Sequence, residues 1–384
     1  MQTDGLTRLY TVKLQSPIAT SFRCVKAANS MDIDQTKKSI HELNIRADIT
    51  SPFNVGLIVG SSGSGKTTLA KQIYGNDAFV SLLRDEQPVI DQFPESMSYD
   101  ECANLLAGVG LTSVPCWIRP AYTLSNGQKA RADIALILAK HATGTPVVDE
   151  WTSVVDRTVG SVMSHCVQKF VRKQQRKIVL LSCHYDVIDW LNPDWIIDCN
   201  RQEFIDRRLL CHNFRRSTQL QFDIKESDAR AWRFFSKYHY LSDKLPGGLC
   251  RYYGLWHKNE QVGFQAFANY VPHRSGAMQM HFNRTVLHPD FAGMGIGIKL
   301  ISATSLLMAQ KGFDVRGKFS SMPVYKAMSK RPEWQLMTVQ RTTPDPGGNM
   351  QRSSGFRKHV KTYSFKFRPN YYDSLRDDVI FHTV

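Results

Sequence analysis

Residues 60–67, GSSGSGKT, have the composition and spacing of a phosphate-binding loop. They fit the pattern GxxxxGK[ST] and lie between the strand-like run Val55–Val59 and a helical pattern. Glycines allow backbone N–H groups to surround phosphate oxygens at the start of a helix. Lys66 would reach the β- and γ-phosphates of a nucleotide, and the Thr67 hydroxyl would bind Mg²⁺. The alternative is an ordinary Gly/Ser turn, which the position between strand and helix disfavours.

Asp149 and Glu150 are adjacent carboxylates that end a second apolar run, residues 146–148. In a nucleotide site, Asp149 would hold the coordination shell of Mg²⁺. Glu150 would polarise the water that attacks the terminal phosphate. Asp149 and Glu150 therefore suit the hydrolysis of a nucleoside triphosphate.

Further polar segments occur in a definite order along the same part of the chain. Gln92 follows the phosphate loop, and residues 124–128, LSNGQ, open a helical pattern. Residues 153–156, SVVD, come after the carboxylates, and His184 follows the apolar run Ile178–Ser182. Taken singly, Gln92 or His184 could equally be a surface residue or a satisfied core group. The order of the segments is more specific than any one of them.

Over roughly residues 45–200 this order resembles an ABC-type ATPase. The resemblance identifies Walker A at 60–67, an LSGGQ-like signature at 124–128, Walker B at 145–150 and a D-loop at 153–156. It also makes Gln92 the Q-loop glutamine and His184 the switch histidine. Asn126 replaces the first signature glycine, and we expect this to be tolerated because Asn readily adopts positive φ.

The resemblance implies that the cofactors are ATP and Mg²⁺. Glu150 and His184 would be catalytic, and the metal would be held by Thr67, Asp149 and Gln92. The residues expected to bind the nucleotide come from four segments: Gly60, Ser61, Gly63, Ser64, Gly65, Lys66, Thr67 and Thr68; Gln92; Ser125, Gly127 and Gln128; and Asp149. The aromatic residue that stacks on adenine could be Tyr10, Phe22 or Phe53.

The resemblance also implies a homodimer that ATP closes and hydrolysis releases. Two such domains would pair head to tail, with Ser125 and Gly127 of one closing on the ATP held by Lys66 of the other. Only 124 − 66 = 58 positions separate Lys66 from Leu124. We therefore expect the helical subdomain that transporters use to grip a membrane partner to be reduced.

Residues 293–297, GMGIG, are a second glycine-rich segment. They follow three strand-like runs at 251–257, 262–270 and 278–286 and precede an amphipathic helical pattern at 300–309. A glycine loop between a strand and a helix N-terminus suits a pyrophosphate group. Because the loop does not follow the first strand of a βαβ unit, a dinucleotide-binding fold is disfavoured.

The run HPDFAGMGIGIKL resembles the acyl-CoA-binding motif of the GNAT acyltransferase superfamily. The resemblance implies an acyl-CoA donor whose pyrophosphate contacts Gly293, Gly295 and Gly297. Ala292 stands where the family has Arg or Gln, so one side-chain donor is absent while the backbone loop remains. A GNAT fold that has lost activity and an accidental glycine turn are the alternatives.

Acyl transfer from a thioester needs a base for the amine proton and an acid for the departing thiolate. The candidates are His239 and Tyr240, with Asp243 nearby, and Tyr325 after the expected strand 313–319. Core packing or helix termination would explain each of them equally well. The stretch 232–241 resembles Mom-type DNA-modification proteins of bacteriophages, and ABC-type ATPases fused to a predicted acetyltransferase form a known arrangement.

The charge of the chain lies in its second half. The sequence has 49 Lys+Arg and 34 Asp+Glu, a net charge of +15. Residues 201–384 hold 29 of the basic and 14 of the acidic residues, so 29 − 14 accounts for all of it. This distribution favours a polyanion such as nucleic acid as the partner of the second half, and the basic stretch 351–361 points the same way. A merely soluble basic surface is the alternative.

Other classes of protein are disfavoured. The eight cysteines contain no CxxC pair, which favours reduced thiols over disulfides or a zinc site. The sequence has neither an apolar run of about 18 residues nor a signal-peptide pattern at its start. We therefore expect a cytoplasmic location without a membrane partner.

The sequence thus predicts an α/β ABC-type P-loop ATPase domain at residues 1–205. A GNAT-like α+β domain with a mixed sheet is expected at residues 206–384. The predicted activity is ATP-dependent acyl transfer to nucleic acid, with a DNA base amine favoured. An ATP-gated nucleic-acid clamp with an inactive GNAT fold and an N-acetyltransferase for proteins or small molecules are the alternatives.

Overall fold

The chain forms two compact units, Met1–Thr218 and Gln219–Val384. The computed structural model describes residues 7–15, 21–31, 40–79, 81–141, 144–208, 221–239, 244–269, 278–341, 361–373 and 380–383. The strand Glu203–Asp206 belongs to a sheet of the first unit. That sheet therefore extends just past residue 205, the predicted end of the first domain.

The first unit contains a mostly parallel sheet of five strands and a smaller antiparallel sheet of two strands. The small sheet pairs β1 (Arg8–Gln15) with β2 (Ile40–Ala47). The strands of the large sheet are β3 (Val55–Val59), β4 (Val147–Val148), β5 (Ile178–Ser182), β6 (Trp195–Asp198) and β7 (Glu203–Asp206). They lie in the order β4-β5-β3-β6-β7, and only β7 is antiparallel to its neighbour.

The strands β3, β5 and β6 are buried along their whole length. Continuous apolar runs of this kind are typical of parallel strands covered on both faces. The helices of the unit are α1 (Phe22–Ser30), α2 (Lys66–Tyr74), α3 (Tyr99–Gly108), α4 (Val114–Trp117), α5 (Asn126–Lys140), α6 (Arg157–Lys173) and α7 (Val187–Leu191). Since β3, β4 and β5 are parallel neighbours, the segments that follow them leave the sheet at the same edge.

Asp48, just after β2, joins three segments of the first unit. Its carboxylate accepts hydrogen bonds from the backbone and hydroxyl groups of Thr50 and Ser51, at 2.5–3.1 Å. It also pairs with Arg208 Nη2 at 3.1 Å, and its side chain is only 17% exposed. Desolvation acts to raise the pKa of Asp48, but the hydrogen bonds from Ser51 and Thr50 outweigh it and lower that pKa to about 2.

We expect Asp48→Asn to lower the free energy of unfolding of the first unit by about 1–2 kcal/mol at neutral pH. The folded-state pKa lies below the unfolded value of about 3.9. The stabilisation is therefore complete above that value and is lost as the pH falls towards about 2. Urea unfolding at pH 7, 4 and 3 should show the difference between wild type and variant shrinking with pH.

The control is Asp85→Asn, which removes an exposed ion pair with Lys129. Exposed pairs contribute about 0–1 kcal/mol. An Asp48→Asn effect no larger than that of the control at pH 7 would contradict the prediction.

The second unit is built on one mixed sheet. Its strands are β8 (Gln221–Glu226), β9 (Cys250–His257), β10 (Glu260–Asn269), β11 (Gln279–Leu287), β12 (Asp314–Phe319), β13 (Trp334–Arg341), β14 (Lys361–Phe367) and β15 (Ile380–Thr383). They lie in the order β13-β14-β12-β11-β10-β9-β8-β15. The pairs β11–β12 and β8–β15 are parallel, and the other neighbours are antiparallel.

The α-helices described in this unit are α8 (Trp232–Phe235), α9 (Ile296–Gln310) and α10 (Met322–Met328). Residues 229–238 form three short helical pieces rather than one helix. A 3-10 turn at Ala229–Ala231 precedes the short α8, and a second one at Ser236–Tyr238 follows it. The helix after the second glycine loop begins at Ile296, before the amphipathic pattern at 300–309.

The parallel strands β11 and β12 pair only at their beginnings. Gln279 to Phe282 are in register with Asp314 to Gly317, and the described register stops there. Phe282 packs directly on Gly317, where a Cβ atom would lie 1.8 Å from the ring. Beyond this contact, β11 continues to Leu287 without a register partner on β12 in the range 278–341.

Candidate functional site

The loop at residues 60–65 joins β3 to α2, as the sequence predicts. Gly60, Gly63 and Gly65 have φ values of 154°, 79° and 91°, and Gly65 is the N-cap of α2. Ser64, between the last two glycines, is buried. The Lys66 ammonium donates to the carbonyl oxygens of Gly60 at 2.8 Å and Ser61 at 2.7 Å. The lysine therefore lies over the loop, and Thr68 is an exposed residue in the first turn of α2.

Two of the three predicted metal ligands are in contact. The Thr67 hydroxyl donates to Asp149 Oδ2 at 2.8 Å, although the residues are 82 positions apart in the chain. A hydroxyl and one carboxylate fit Mg²⁺, which usually takes one or two protein carboxylates plus phosphate oxygens and water. In the described part of the chain, no cluster of three or more His, Cys, Asp or Glu side chains could hold a metal ion unaided.

Glu150 projects from a tightly held turn. It is exposed and has a φ of 51°, and Thr152 has a φ of 66°. Between them Trp151 is buried, and its indole N–H donates to Ser164 Oγ at 2.8 Å. Non-glycine residues at positive φ are uncommon and cluster at functional sites. The anchored tryptophan thus directs the Glu150 side chain outward.

His184 lies on a second turn that is linked to the first. Its backbone N–H donates to Ser182 Oγ at 3.1 Å, and that hydroxyl donates to the Trp151 carbonyl at 3.2 Å. Arg157, the first residue of α6, forms an ion pair with Asp186, two positions after His184. The structure therefore brings together the segments that hold Glu150, the D-loop and His184. The His184 side chain itself is exposed.

The signature segment forms the start of α5. Ser125 is the N-cap, and it forms a capping box with Gln128. Gly127 is buried, and a Cβ atom there would lie 2.9 Å from Val159 of α6. The expectation that Asn126 uses positive φ is wrong, because Asn126 is the first helical residue and is not among the positive-φ residues. Asn is tolerated here because its side chain is exposed in the first turn.

Gln92 makes its hydrogen bonds within its own loop. Its side-chain oxygen accepts from Arg84 N at 2.7 Å, and its amide nitrogen donates to the carbonyls of Arg84 and Gln87 at 2.9 Å. The Gln92 side-chain oxygen already accepts one hydrogen bond in this loop, so its second lone pair is the one that would bind a metal ion. Its role as a metal ligand stays a prediction.

The three candidate adenine-stacking residues differ in exposure. Phe53 is buried and packs edge-on against Trp195. Tyr10 is half-buried against the core, whereas the Phe22 side chain is 80% exposed. Among the three, Phe22 presents the largest free ring surface.

A hydrogen-bonded chain that the sequence did not reveal joins the His184 turn to the phosphate loop. Asp198, a buried carboxylate at the end of β6, accepts from the Tyr185 hydroxyl at 3.0 Å. Asn200 donates its amide to Tyr185 Oη at 3.2 Å. The amide oxygen of Asn200 accepts from the backbone N–H and the hydroxyl of Ser61, at 3.1 and 3.0 Å. Asn200 therefore positions the second residue of the phosphate loop.

We expect Asn200→Ala to raise the KM for ATP about three- to tenfold while changing kcat by less than about threefold, the range for one lost hydrogen-bonding partner. The reason is that Ser61 loses its fixed acceptor while the Glu150 turn keeps its own contacts. Steady-state hydrolysis assays at varied ATP would measure both parameters. Asn44→Ala, which removes the acceptor of an exposed hydroxyl in the same unit, is the control. Loss of kcat without a change in KM would contradict this assignment.

The second glycine loop repeats the last two glycine positions of the first, both at positive φ. Gly293 and Gly295 have φ values of 95° and 74°, they flank the buried Met294, and Gly295 is the N-cap of α9. Gly63 and Gly65 flank the buried Ser64 in the same way. Ile296 follows where the first loop has Lys66.

The candidate acyl-transfer residues are placed in part. The His239 ring packs edge-on against Trp232 at 5.6 Å, and Tyr325 in α10 stacks on Tyr363 at 4.2 Å. Gly297 is in the first turn of α9. Tyr240 and Asp243 lie outside the described residues, as does the stretch 351–360.

No protein-family model matches the chain. The chain is similar to the energy-coupling factor transporter ATP-binding protein EcfA1 of Staphylococcus saprophyticus, with 26% identity over 38% of this chain and 67% of that protein. EcfA1 of Leuconostoc mesenteroides is 24% identical over 44% of this chain and 77% of that protein. Among solved structures, CbiO1 from Clostridium perfringens, part of an ABC transporter complex, covers 44% of this chain and 83% of its own, with 18% identity and a TM-score of 0.36.

The N-terminal region is an ABC-type ATPase, which confirms this part of the interpretation. The sequence similarity supports ATP binding and hydrolysis by this region. In the described part of the chain, none of the helices is both long and apolar enough to cross a bilayer.

Proposed function

We propose that the protein couples its ATPase to the transfer of an acyl group from an acyl-CoA-type donor to nucleic acid, with a DNA base amine as the favoured acceptor. The observation that carries the proposal is the backbone shared by the two glycine loops. Gly293 and Gly295 repeat the positive φ values of Gly63 and Gly65, and each second glycine caps a helix. A loop of this shape directs backbone N–H groups at an anion.

The GNAT-like assignment of the second unit is supported by the sheet beside this loop. The described pairing of β11 with β12 ends at the contact of Phe282 with Gly317. The loop follows the part of β11 that lies beyond this pairing. An extended ligand whose pyrophosphate lies on the loop would then run along this part of β11.

The chemistry proposed for this unit is amide formation. The lone pair of a neutral amine attacks the thioester carbonyl, the C–S bond breaks, and the thiolate leaves. The amine must lose a proton and the thiolate must gain one. His239 and Tyr240 are the candidate bases, and Tyr325 is the candidate acid.

The proposed role of the ATPase is to close a homodimer. Lys66 and the backbone of the first loop would bind the phosphates, while Ser125 and Gly127 of the second copy would cover them. Glu150 would take the proton of the attacking water, and His184 would contact the terminal phosphate. Closure would hold nucleic acid against the second unit, and hydrolysis would release it.

One observation favours the alternative of an ATP-gated nucleic-acid clamp with an inactive GNAT fold. Ala292 supplies no side-chain donor for a pyrophosphate, and Ile296 supplies none where the first loop has Lys66. A clamp needs no acyl donor, so it predicts no measurable affinity for acyl-CoA. An N-acetyltransferase for proteins or small molecules differs from both, because it predicts no salt-dependent binding of nucleic acid.

The proposal is tested by incubating the full chain with radiolabelled acetyl-CoA, ATP, Mg²⁺ and DNA or RNA. We expect label in the nucleic acid with wild type and at least tenfold less label with Lys66→Ala. Mass spectrometry of the digested nucleosides would identify the acceptor. Vigorous ATP hydrolysis with no label in any nucleic acid would overturn the acyl-transfer proposal.

A further inference from the structure

Three aromatic rings and one lysine form a cluster on the second unit, in which Phe234 and Lys237 are exposed and Tyr238 and His288 are half-buried. Phe234 lies parallel to His288 at 6.1 Å between ring centroids, and Tyr238 meets His288 edge-on at 5.2 Å. The Lys237 ammonium lies 4.6 Å from the centre of the Phe234 ring and 4.9 Å from that of Tyr238. We name these four residues the aromatic–lysine cluster.

The cluster is accessible although its base is packed. Phe234 is 45% exposed, and Lys237 is also exposed. Phe234 rests edge-on against Phe235, which is buried in the core of the unit. This contact with a buried ring restricts the orientations that the exposed Phe234 ring can take.

Two exposed arginines lie close to the cluster in sequence. Arg233 precedes Phe234 and is exposed. Arg230, two positions after Asp228 and 3.8 Å from its carboxylate, is exposed as well. The cluster thus combines aromatic surface with cations in the half of the chain that carries the whole net charge of +15.

The cluster adjoins the second glycine loop through His288. That histidine is five positions before Gly293 in sequence, and its Nδ1 lies 3.4 Å from the Asp290 carboxylate. A ligand on the rings would therefore lie beside the segment that leads into the loop.

We infer that the aromatic–lysine cluster binds single-stranded nucleic acid, with an unpaired base stacked on its rings and a phosphate on Lys237. The inference rests on the proposed nucleic-acid partner and names the residues that hold it. Stacking on aromatic rings needs a base that is free of its neighbours, which a single strand supplies and an intact duplex does not. The contact between Lys237 and the rings is weak at an exposed site, so the ammonium can turn to a phosphate.

The test measures binding of the full chain to a fluorescein-labelled 12-nucleotide single-stranded DNA by anisotropy, without acyl donor, at several salt concentrations. We expect Phe234→Ala to weaken binding about tenfold with an unchanged salt slope, since it removes a stacking surface. Lys237→Ala should lower the magnitude of the salt slope by about 1. Phe234→Trp, which keeps an aromatic ring, should retain wild-type affinity within about twofold.

Two matched variants control for the loss of any ring or charge. Tyr371 is a 55% exposed ring with Arg368 at 4.3 Å, and Lys330 is an exposed lysine elsewhere in the unit. Tyr371→Ala and Lys330→Ala should change the affinity less than about twofold. Thermal unfolding of each variant checks that the fold is intact.

Several outcomes would overturn the inference. They are the absence of single-strand binding by wild type, equal losses for Phe234→Ala and Tyr371→Ala, and equal affinity for the same sequence as a duplex. A Phe234→Ala effect on binding to phosphatidylserine vesicles but not to DNA would show a lipid surface instead. Label transfer by wild type and Phe234→Ala alike would reject the cluster but keep the proposed function. Loss of single-strand binding in Phe234→Ala, with no label transfer by wild type, would support the cluster as a binding site and reject the proposed acyl transfer.

Discussion

Glu150→Gln should lower kcat for ATP hydrolysis at least about 100-fold, the lower bound for losing a general base. Glutamine has the same shape and keeps the turn that Trp151 anchors, but it cannot accept the proton of the attacking water. The contacts of Lys66 and Thr67 are untouched, so ATP affinity should change little. Measured as phosphate release, the loss would identify Glu150 as the group that activates water.

The same variant should accumulate as an ATP-bound dimer, because the step that opens the dimer is blocked. Light scattering after size-exclusion chromatography, with and without ATP and Mg²⁺, would show the change in mass. Glu95→Gln, an exposed glutamate in another loop of the unit, is the control and should hydrolyse ATP at the wild-type rate. A kcat for Glu150→Gln within threefold of wild type would remove Glu150 from this role.

Gly295→Val should lower the affinity for acetyl-CoA at least about tenfold, while Gly312→Val leaves it unchanged. The two glycines lie at opposite ends of α9, with φ values of 74° and 87° and no atom within 4 Å of an added Cβ. A β-branched residue is strained at either position, so the two variants should lose similar stability. Only Gly295 lies in the proposed anion-binding loop. Calorimetric titration of each full-length variant measures the affinity.

This comparison distinguishes the acyltransferase from the clamp. Equal effects of the two substitutions would mean that α9 as a whole, and not the loop, determines binding. No binding of acetyl-CoA by wild type would favour the clamp, and the loop would then be purely structural.

The grouping of three candidate nucleotide-site residues at one sheet edge was predictable from the sequence, because each of them follows a strand. Lys66, Asp149 and His184 follow strands that pair in parallel. Parallel strands end at one edge of the sheet, so the three residues must gather there once the strands are recognised. The Thr67–Asp149 hydrogen bond is the direct consequence.

The contacts around that site were not predictable in the same way. Asn200 contacts Ser61 across 139 positions of the chain, and no local pattern links the two. The role of Asn126 was mistaken because a signature motif shows residue types but not where the helix begins. The hydrogen bonds of Gln92 to its own loop could not be predicted either, because the motif does not show how the loop folds.

In the second unit, the strand-like runs 251–257, 262–270 and 278–286 correspond to β9, β10 and β11, but the order of the strands in the sheet was not predictable. The sequence places β14 after β13, whereas the sheet inserts β14 between β13 and β12. The pairing depends on packing, such as that of Phe282 on Gly317. The aromatic–lysine cluster likewise needs His288, which is 50 positions from Tyr238 by subtraction.

Ile296 follows the last glycine of the second loop, where the first loop has Lys66. This difference bears on which ligand each loop would bind. The pyrophosphate of an acyl-CoA is a diester with one negative charge on each phosphate, whereas the γ-phosphate of ATP is a terminal group with more charge. Backbone dipoles alone suffice for the first, but a terminal phosphate gains most from a neighbouring ammonium group. If the second loop binds an acyl-CoA as proposed, the absence of a lysine would favour that ligand over a triphosphate, and the two loops of one chain would not compete for the same nucleotide.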